Sequence, residues 1–425
     1  MLGPMPVPPE GPALDRLRRR SIATLVAGVA LGSTGHIAAV TVATLAARDL
    51  TGSSVWAGVP GAAVVLGAAV GAPVLSAIMV RTGRRTGLVS GYAVGIGGAS
   101  LAVVALVARS FPLLLAGTVL IGVANSANNL SRYAAADLVP LARRASALSL
   151  VVWGATVGAV VGPNLVPVAG DAAVALGLPR LAGAYLLPAF FVAAAALLSF
   201  VLLRPDPYLL ADPSERRDED DRVGDPIRDL IRRPSVWVAL VALVTVQVVM
   251  VLVMTMTPLH MTEHGHDLAS VGLVISAHTF GMFALSPVSG WLTDRFGSAP
   301  VIVAGLVTCG AAAALSAIAP PDGGLVLACA LFLLGFGWSL GYVAGSAAVT
   351  GGLTLGERTR LQGWTDSLIW SSAALASLGS GLVVAGAGFA TLGLLGAALV
   401  IVPAWVVAAR RGHLVGIGHG GRAVA

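Results

Sequence analysis

Ser235 to Met261 reads SVWVALVALVTVQVVMVLVMTMTPLHM, with no Asp, Glu, Lys or Arg anywhere in it. A helix of roughly 20 apolar residues crosses the hydrocarbon core of a bilayer. In lipid a lone segment must satisfy its own backbone N–H and C=O groups, so this run is a transmembrane helix. Immediately before it, residues 205–234 form the one polar break in the chain.

The same ruler moved outward finds twelve spans. They lie at about 21–47, 55–80, 87–109, 111–135, 146–169, 181–204, 235–261, 268–292, 300–319, 324–349, 362–387 and 389–409. The polar break follows the sixth span. The fold class is therefore an all-α membrane protein of twelve transmembrane helices in two six-helix halves. Its expected parts are an N-terminal tail 1–20, a first half 21–204, a linker 205–234, a second half 235–409 and a C-terminal tail 410–425. The whole chain has 425 residues, 56% hydrophobic and 11% charged. About 25% charge is usual in soluble domains.

The net charge of +6 does not point to nucleic acid, because the chain holds no lysine and its arginines are unevenly placed. One set of loops holds Arg81, Arg84, Arg85, Arg143, Arg144, Arg295, Arg358 and Arg360. Linker and tails on that side add more. The opposite loops hold only Arg48, Arg109 and Arg180. Basic loops stay in the cytoplasm, so both termini are expected inside a bacterial cytoplasmic membrane. Within the linker, Asp218 to Arg222 (DEDDR) is too charged to pack. Ile227, Leu230 and Ile231 fall at helical spacing, predicting a short helix on the membrane surface.

Chemistry is concentrated between Met250 and Met282, which holds five of the eight methionines and four of the seven histidines. Thioether and imidazole are ligands that soft metals prefer. Met250 and Met254 are four apart in span seven, as are His278 and Met282 in span eight, so each pair shares a helix face. At 1.5 Å per residue, both pairs lie roughly 13–21 Å below the outer surface. His36, deep in span one, is positioned to complete a coordination shell. A histidine inside a span is a functional candidate by default, whereas methionine there is more often packing. His260, Met261, His264 and His266 would form an outer collecting site.

Elsewhere, Asp366 is the one acidic residue placed inside a span. It reads either as a proton-coupling carboxylate or, preferably, as a partner of Arg360 near the inner surface. Asn125, Asn129 and Arg132 share a face of span four and either line a cavity or pair across helices. Arg143 to Trp153 and Arg360 to Trp370 open the fifth span of each half with an Arg ten residues before a Trp, a repeat of the kind transporters show.

The loop Gly290-Trp-Leu-Thr-Asp294-Arg295-Phe-Gly297 resembles the G-x-L-x-D-R-x-G signature of the major facilitator superfamily. The resemblance implies a conformational gate of Gly290, Asp294, Arg295, Gly297 and Arg360. In it Asp294 caps a neighbouring helix and pairs with Arg358 or Arg360. The matching first-half loop has Val80 where the Asp belongs, which implies a weaker gate there. Within the superfamily, the paired M-x-x-x-M and H-x-x-x-M resemble the CcoA-like copper importers. That implies Met250, Met254, His278 and Met282 as an intramembrane copper path. Gly154, Gly158, Gly162 and Pro163 resemble part of a drug/proton antiporter motif, but small residues four apart are also ordinary packing ridges.

The expected function is alternating-access transport, of copper or alternatively of an organic solute, as a drug exporter or riboflavin-type importer. No nucleophile–base pair, phosphate loop or carboxylate dyad lies within a span, so an enzyme is disfavoured. No cofactor is expected. The partners are the lipid bilayer and a small solute or metal ion, not nucleic acid, and a monomer is expected.

Overall fold

In a computed structural model the described residues are 11–53, 56, 58–212, 225–320, 323–351 and 353–415. The Pro-rich start, the run Asp218–Arg222 and the end of the C-terminal tail lie outside them. All regular structure among the described residues is helical. The first half comprises α1 (Pro12–Thr51), α2 (Val59–Thr82), α3 (Arg84–Val107), α4 (Phe111–Ala136), α5 (Arg144–Ala175) and α6 (Gly183–Leu202). The second begins with α7 (Pro234–Glu263). Next comes α8, built from Leu268–Thr279, a π-helical turn Phe280–Ala284 and Ser286–Phe296. After α9 (Ser298–Ala317) and α10 (Gly324–Val349), one helical run continues from Leu355 to Ala409.

Among the described residues, eleven runs are thus long and apolar enough to cross a membrane. The last contains two spans. Gly388, at φ 83° and ψ 169°, breaks it into α11 (355–387) and α12 (389–409). Gly363 of α11 packs on Ser76 of α2, while Gly393 and Gly396 of α12 pack on Ala313 of α9. The division falls where the apolar lengths place it. Gly83 (φ 95°, ψ 163°) and Gly297 (φ 86°, ψ 164°) hold the same conformation between α2 and α3 and between α8 and α9. Only glycine enters this region readily, so one residue suffices to turn each helix into the next.

Small residues set how closely helices approach. A Cβ at Gly32 of α1 would strike Asn128 of α4, and one at Gly158 of α5 would strike Ser33 and Thr34 of α1. In the second half Gly341 and Gly345 of α10 receive Val246 and Leu243 of α7. Without a hydrophobic drive between helices in lipid, such close packing holds them together.

Two sequence expectations change, and one contact is new. Residues 12–20 begin α1 instead of forming a tail, and Arg18 donates to the Leu210 carbonyl at 2.9 Å. The linker helix Ile227–Arg232 forms as spacing predicts, but its Leu230 is buried against the bundle. It packs on α7 and α11 instead of lying on the bilayer. Finally, Asp206 caps α3, accepting from the backbone N–H of Arg84 and Arg85 at 3.1 and 2.9 Å. Burial pushes its carboxyl above the ordinary value, against the pull of those N–H donors.

Candidate functional site: the seam between the halves

The two halves meet mainly through α2 against α11 and α5 against α8. Among the described residues, the hydrogen bonds and ion pairs that join them lie toward the ends of the spans nearest the termini and linker. Ser76 Oγ donates to the Thr359 carbonyl. Ser286 Oγ donates to the Ser149 carbonyl at 3.0 Å. Asp294, at the foot of α8, accepts from the backbone N–H of Ala145 and Ser146 at 3.1 and 2.9 Å. It thus caps α5 across the seam, where the helix N-terminus favours negative charge. The protein is closed on this face.

Asp294 does cap a neighbouring helix, but its expected arginine partners are engaged elsewhere. Arg358 lies 3.0 Å from Asp137, and Arg360 donates to the Asp225 carbonyl at 3.2 Å. The first-half gate that lacks its Asp is closed by other residues. Arg84 at the start of α3 binds Asp137 at the end of α4 (2.7 Å) and Gln362 of α11 (2.8 Å). Arg84, Asp137 and Arg358 are all buried. Gly290 lets α8 approach Ala145 and Ser149 of α5, and Gly297 makes the turn into α9. Arg295 stays at the surface beside Trp291 and Phe296.

Above this closure lies a second buried ion pair. Arg132 of α4 reaches Asp366 of α11 in a fork, Nη2–Oδ1 2.6 Å and Nη1–Oδ2 3.2 Å. Asp366 therefore pairs with Arg132 and not with Arg360. Arg132 shares a face with Asn125 and Asn129, as spacing predicts, and Asn129 supplies a carbonyl to it at 2.6 Å. The guanidinium sits between the rings of Tyr133 and Tyr342, 4.1 and 4.5 Å from their centroids. Tyr342 is stacked on Trp338 at 4.3 Å and 17°. Trp338 in turn donates its indole N–H to Gln247 of α7 at 2.8 Å and meets Phe283 of α8 edge-on. A continuous column of charge and aromatic rings thus runs from the closed face toward mid-membrane.

Sequence reasoning missed Trp338, Tyr342, Gln247, Tyr133 and Phe283. Signals were available. Trp338 and Tyr342 are four apart in an apolar helix, and Gln247 is the one side-chain amide in span seven.

The thioether and imidazole candidates are arranged differently. His278 is buried, its Nδ1 hydrogen-bonded to the Leu331 carbonyl of α10 at 2.9 Å, and its Nε2 is sealed without a partner. Met250 continues the ridge of Leu243 and Val246 that packs on α10, and is itself buried. Met254 and Met282 are partly buried around the same core. α7 and α8 each pack on α10 far more than on each other. Pro287, lacking an N–H and clashing with the preceding turn, follows the π turn Phe280–Ala284. That turn adds a residue to the register, so the i, i+4 alignment of His278 with Met282 does not carry through it. His36 faces the gap between α4 and α5, since Gly32 meets the former and Ser33 the latter. His260 stacks on Phe389 of α12.

Two six-helix bundles closed at one end by cross-seam caps and ion pairs define a membrane transporter. The chain matches the model of the Major Facilitator Superfamily over residues 22–378 and belongs to that family. It is a transporter, not an enzyme. It is 36% identical over 402 residues to the MFS-type transporter YdeG of Bacillus subtilis (strain 168), covering 93% of each. It is 31% identical over 388 residues to the riboflavin transporter RfnT of Brucella anthropi, covering 91% of this chain and 95% of that one. Its fold is similar to that of the E. coli fucose:proton symporter FucP. The TM-score is 0.70 at 17% identity, over 92% of this chain and 98% of the other.

Proposed function

We propose that this protein is a secondary transporter carrying a flat organic solute across a bacterial cytoplasmic membrane by alternating access. The observation that carries this reading is the aromatic column between the halves, Trp338 on Tyr342 on Arg132. Aromatic planes with a few placed polar groups are what small organic molecules bind. The likeness to a riboflavin transporter supports the same direction. The arginine-rich face, with termini and linker, is the cytoplasmic one, so the conformation described here is closed to the cytoplasm. The protein works as a monomer. Arg132–Asp366 is the inner latch, and Asp366 is the carboxylate through which a proton would couple to its release. The test is uptake of labelled riboflavin by cells that cannot make it, with and without this protein. No difference for riboflavin or for other planar heterocycles would remove the reading.

Copper import is the second reading, and one observation favours it. With Nδ1–H given to the Leu331 carbonyl, His278 keeps a buried, unpartnered Nε2 lone pair, as in a metal-ligating imidazole fixed by an outer partner. Met250, Met254, Met282 and His36 would complete the set. Copper accumulation in the same cells, beside His278→Ala, decides between the two.

A further inference from the structure

We infer that the solute site, on the reading just proposed, takes an uncharged conjugated ring bearing carbonyl or ring-nitrogen acceptors. The reason is which hydrogen-bonding groups remain unspent at the top of the aromatic column. Gln247 accepts the Trp338 indole N–H through Oε1. That bond fixes the amide orientation and turns both its N–H donors away from the indole. Among the described residues they meet no acceptor, nor are they sealed from solvent. Asn125 lies on the Arg132 face of α4, nine-tenths buried, and its side-chain amide makes no hydrogen bond among those residues. His36 has its Nδ1 sealed without a partner. A sealed nitrogen with no acceptor is costly to protonate, so the neutral ring carries its proton on Nε2, another donor.

These three groups lie at one level. Counting from the cytoplasmic helix ends at 1.5 Å per residue, Asn125 and Trp338 stand about 17 Å up and Gln247 about 20 Å. His36 is about 22 Å above Ser21, where the first span begins. Below them the only charges on the column, Arg132 and Asp366, neutralise each other. The site therefore offers N–H donors from three helices, one aromatic plate and no net charge. An anion would find no unpaired cation here, and a cation no unpaired carboxylate. A planar molecule lying on Trp338 with acceptors along its edge satisfies all three donors.

The test uses the full-length purified protein with riboflavin and riboflavin 5′-phosphate, which share a ring and differ in charge. Binding is read by titration calorimetry and folding by thermal unfolding. Riboflavin should bind at least tenfold tighter than the phosphate. Gln247→Glu and Asn125→Asp, which keep volume but replace donors with a carboxylate, should each weaken riboflavin about tenfold, the loss of one hydrogen bond left unmade. His36→Gln keeps a donor and should bind within about threefold of the parent. Riboflavin binding unchanged in both acidic variants, or equal binding of the phosphate, would overturn this inference while leaving organic-solute transport standing. If the unaltered protein binds no planar heterocycle, the underlying reading fails instead.

Discussion

Arg132 and Asp366 are 234 residues apart in sequence and 2.6 Å apart in space, one on each half, with side chains 2% exposed. Neither partner can be removed cheaply. Asp366→Asn leaves a buried guanidinium without its counter-charge, at a cost of about 3–5 kcal/mol. Arg132→Gln should cost as much. The double substitution should recover part of the loss, because the uncompensated charge is gone. Thermal unfolding of the four proteins measures this, and strict additivity would show that the pair is not coupled.

Asp294→Ala acts at a different place. It removes the cap that α8 supplies to the start of α5, worth about 0.5–2 kcal/mol. Since that cap exists only while this face of the seam is closed, its loss should populate the open form without altering the affinity of the proposed solute site. Distances between spin labels on α5 and α8 report the shift. An affinity change with unchanged distances would contradict it.

Gly388→Ala should destabilise by about 1–3 kcal/mol, although a Cβ there meets nothing. The cost is purely conformational, since φ 83° with ψ 169° is closed to side chains. Gly386→Ala, two residues away at ordinary helical angles and equally open, should be neutral or slightly stabilising. Equal unfolding temperatures for the two variants would mean that α11 and α12 are one straight helix.

Met250→Leu should leave uptake of a planar solute within about twofold of the parent, because swaps that conserve core volume cost under ~1.5 kcal/mol. Its neighbours along α7 pack on α10. Transport that collapses on this exchange would restore the thioether to a direct role and favour copper.

Twelve spans and the six-plus-six division were legible because both depend on local quantities, the length of apolar runs and the position of one polar linker. Even the join of α11 to α12, where no charge interrupts the chain, followed from length. The site was only half legible. Arg132 and Asp366 were each recognisable as unusual in lipid, yet nothing local says that the end of α4 meets α11. Local sequence therefore points Asp366 to Arg360, its neighbour in the chain, where the structure gives it Arg132. Similarly, the H-x-x-x-M reading of His278 and Met282 assumed α-helical register, and the π turn beside Pro287 removed that assumption. Asp206 shows the reverse case: a cap supplied from a linker that sequence spacing leaves unassigned.

Single-glycine turns at Gly83 and Gly297 have a mechanical consequence. A joint of one residue gives little chain length in which to absorb a displacement between its two arms. α2 with α3, and α8 with α9, are therefore expected to move together as pairs. Whatever compliance the transport stroke needs is displaced into the helices themselves, and in α8 the π turn at Phe280–Ala284 is where such an arm can flex. It lies beside Trp338, which Phe283 touches, so the arm would bend next to the aromatic column.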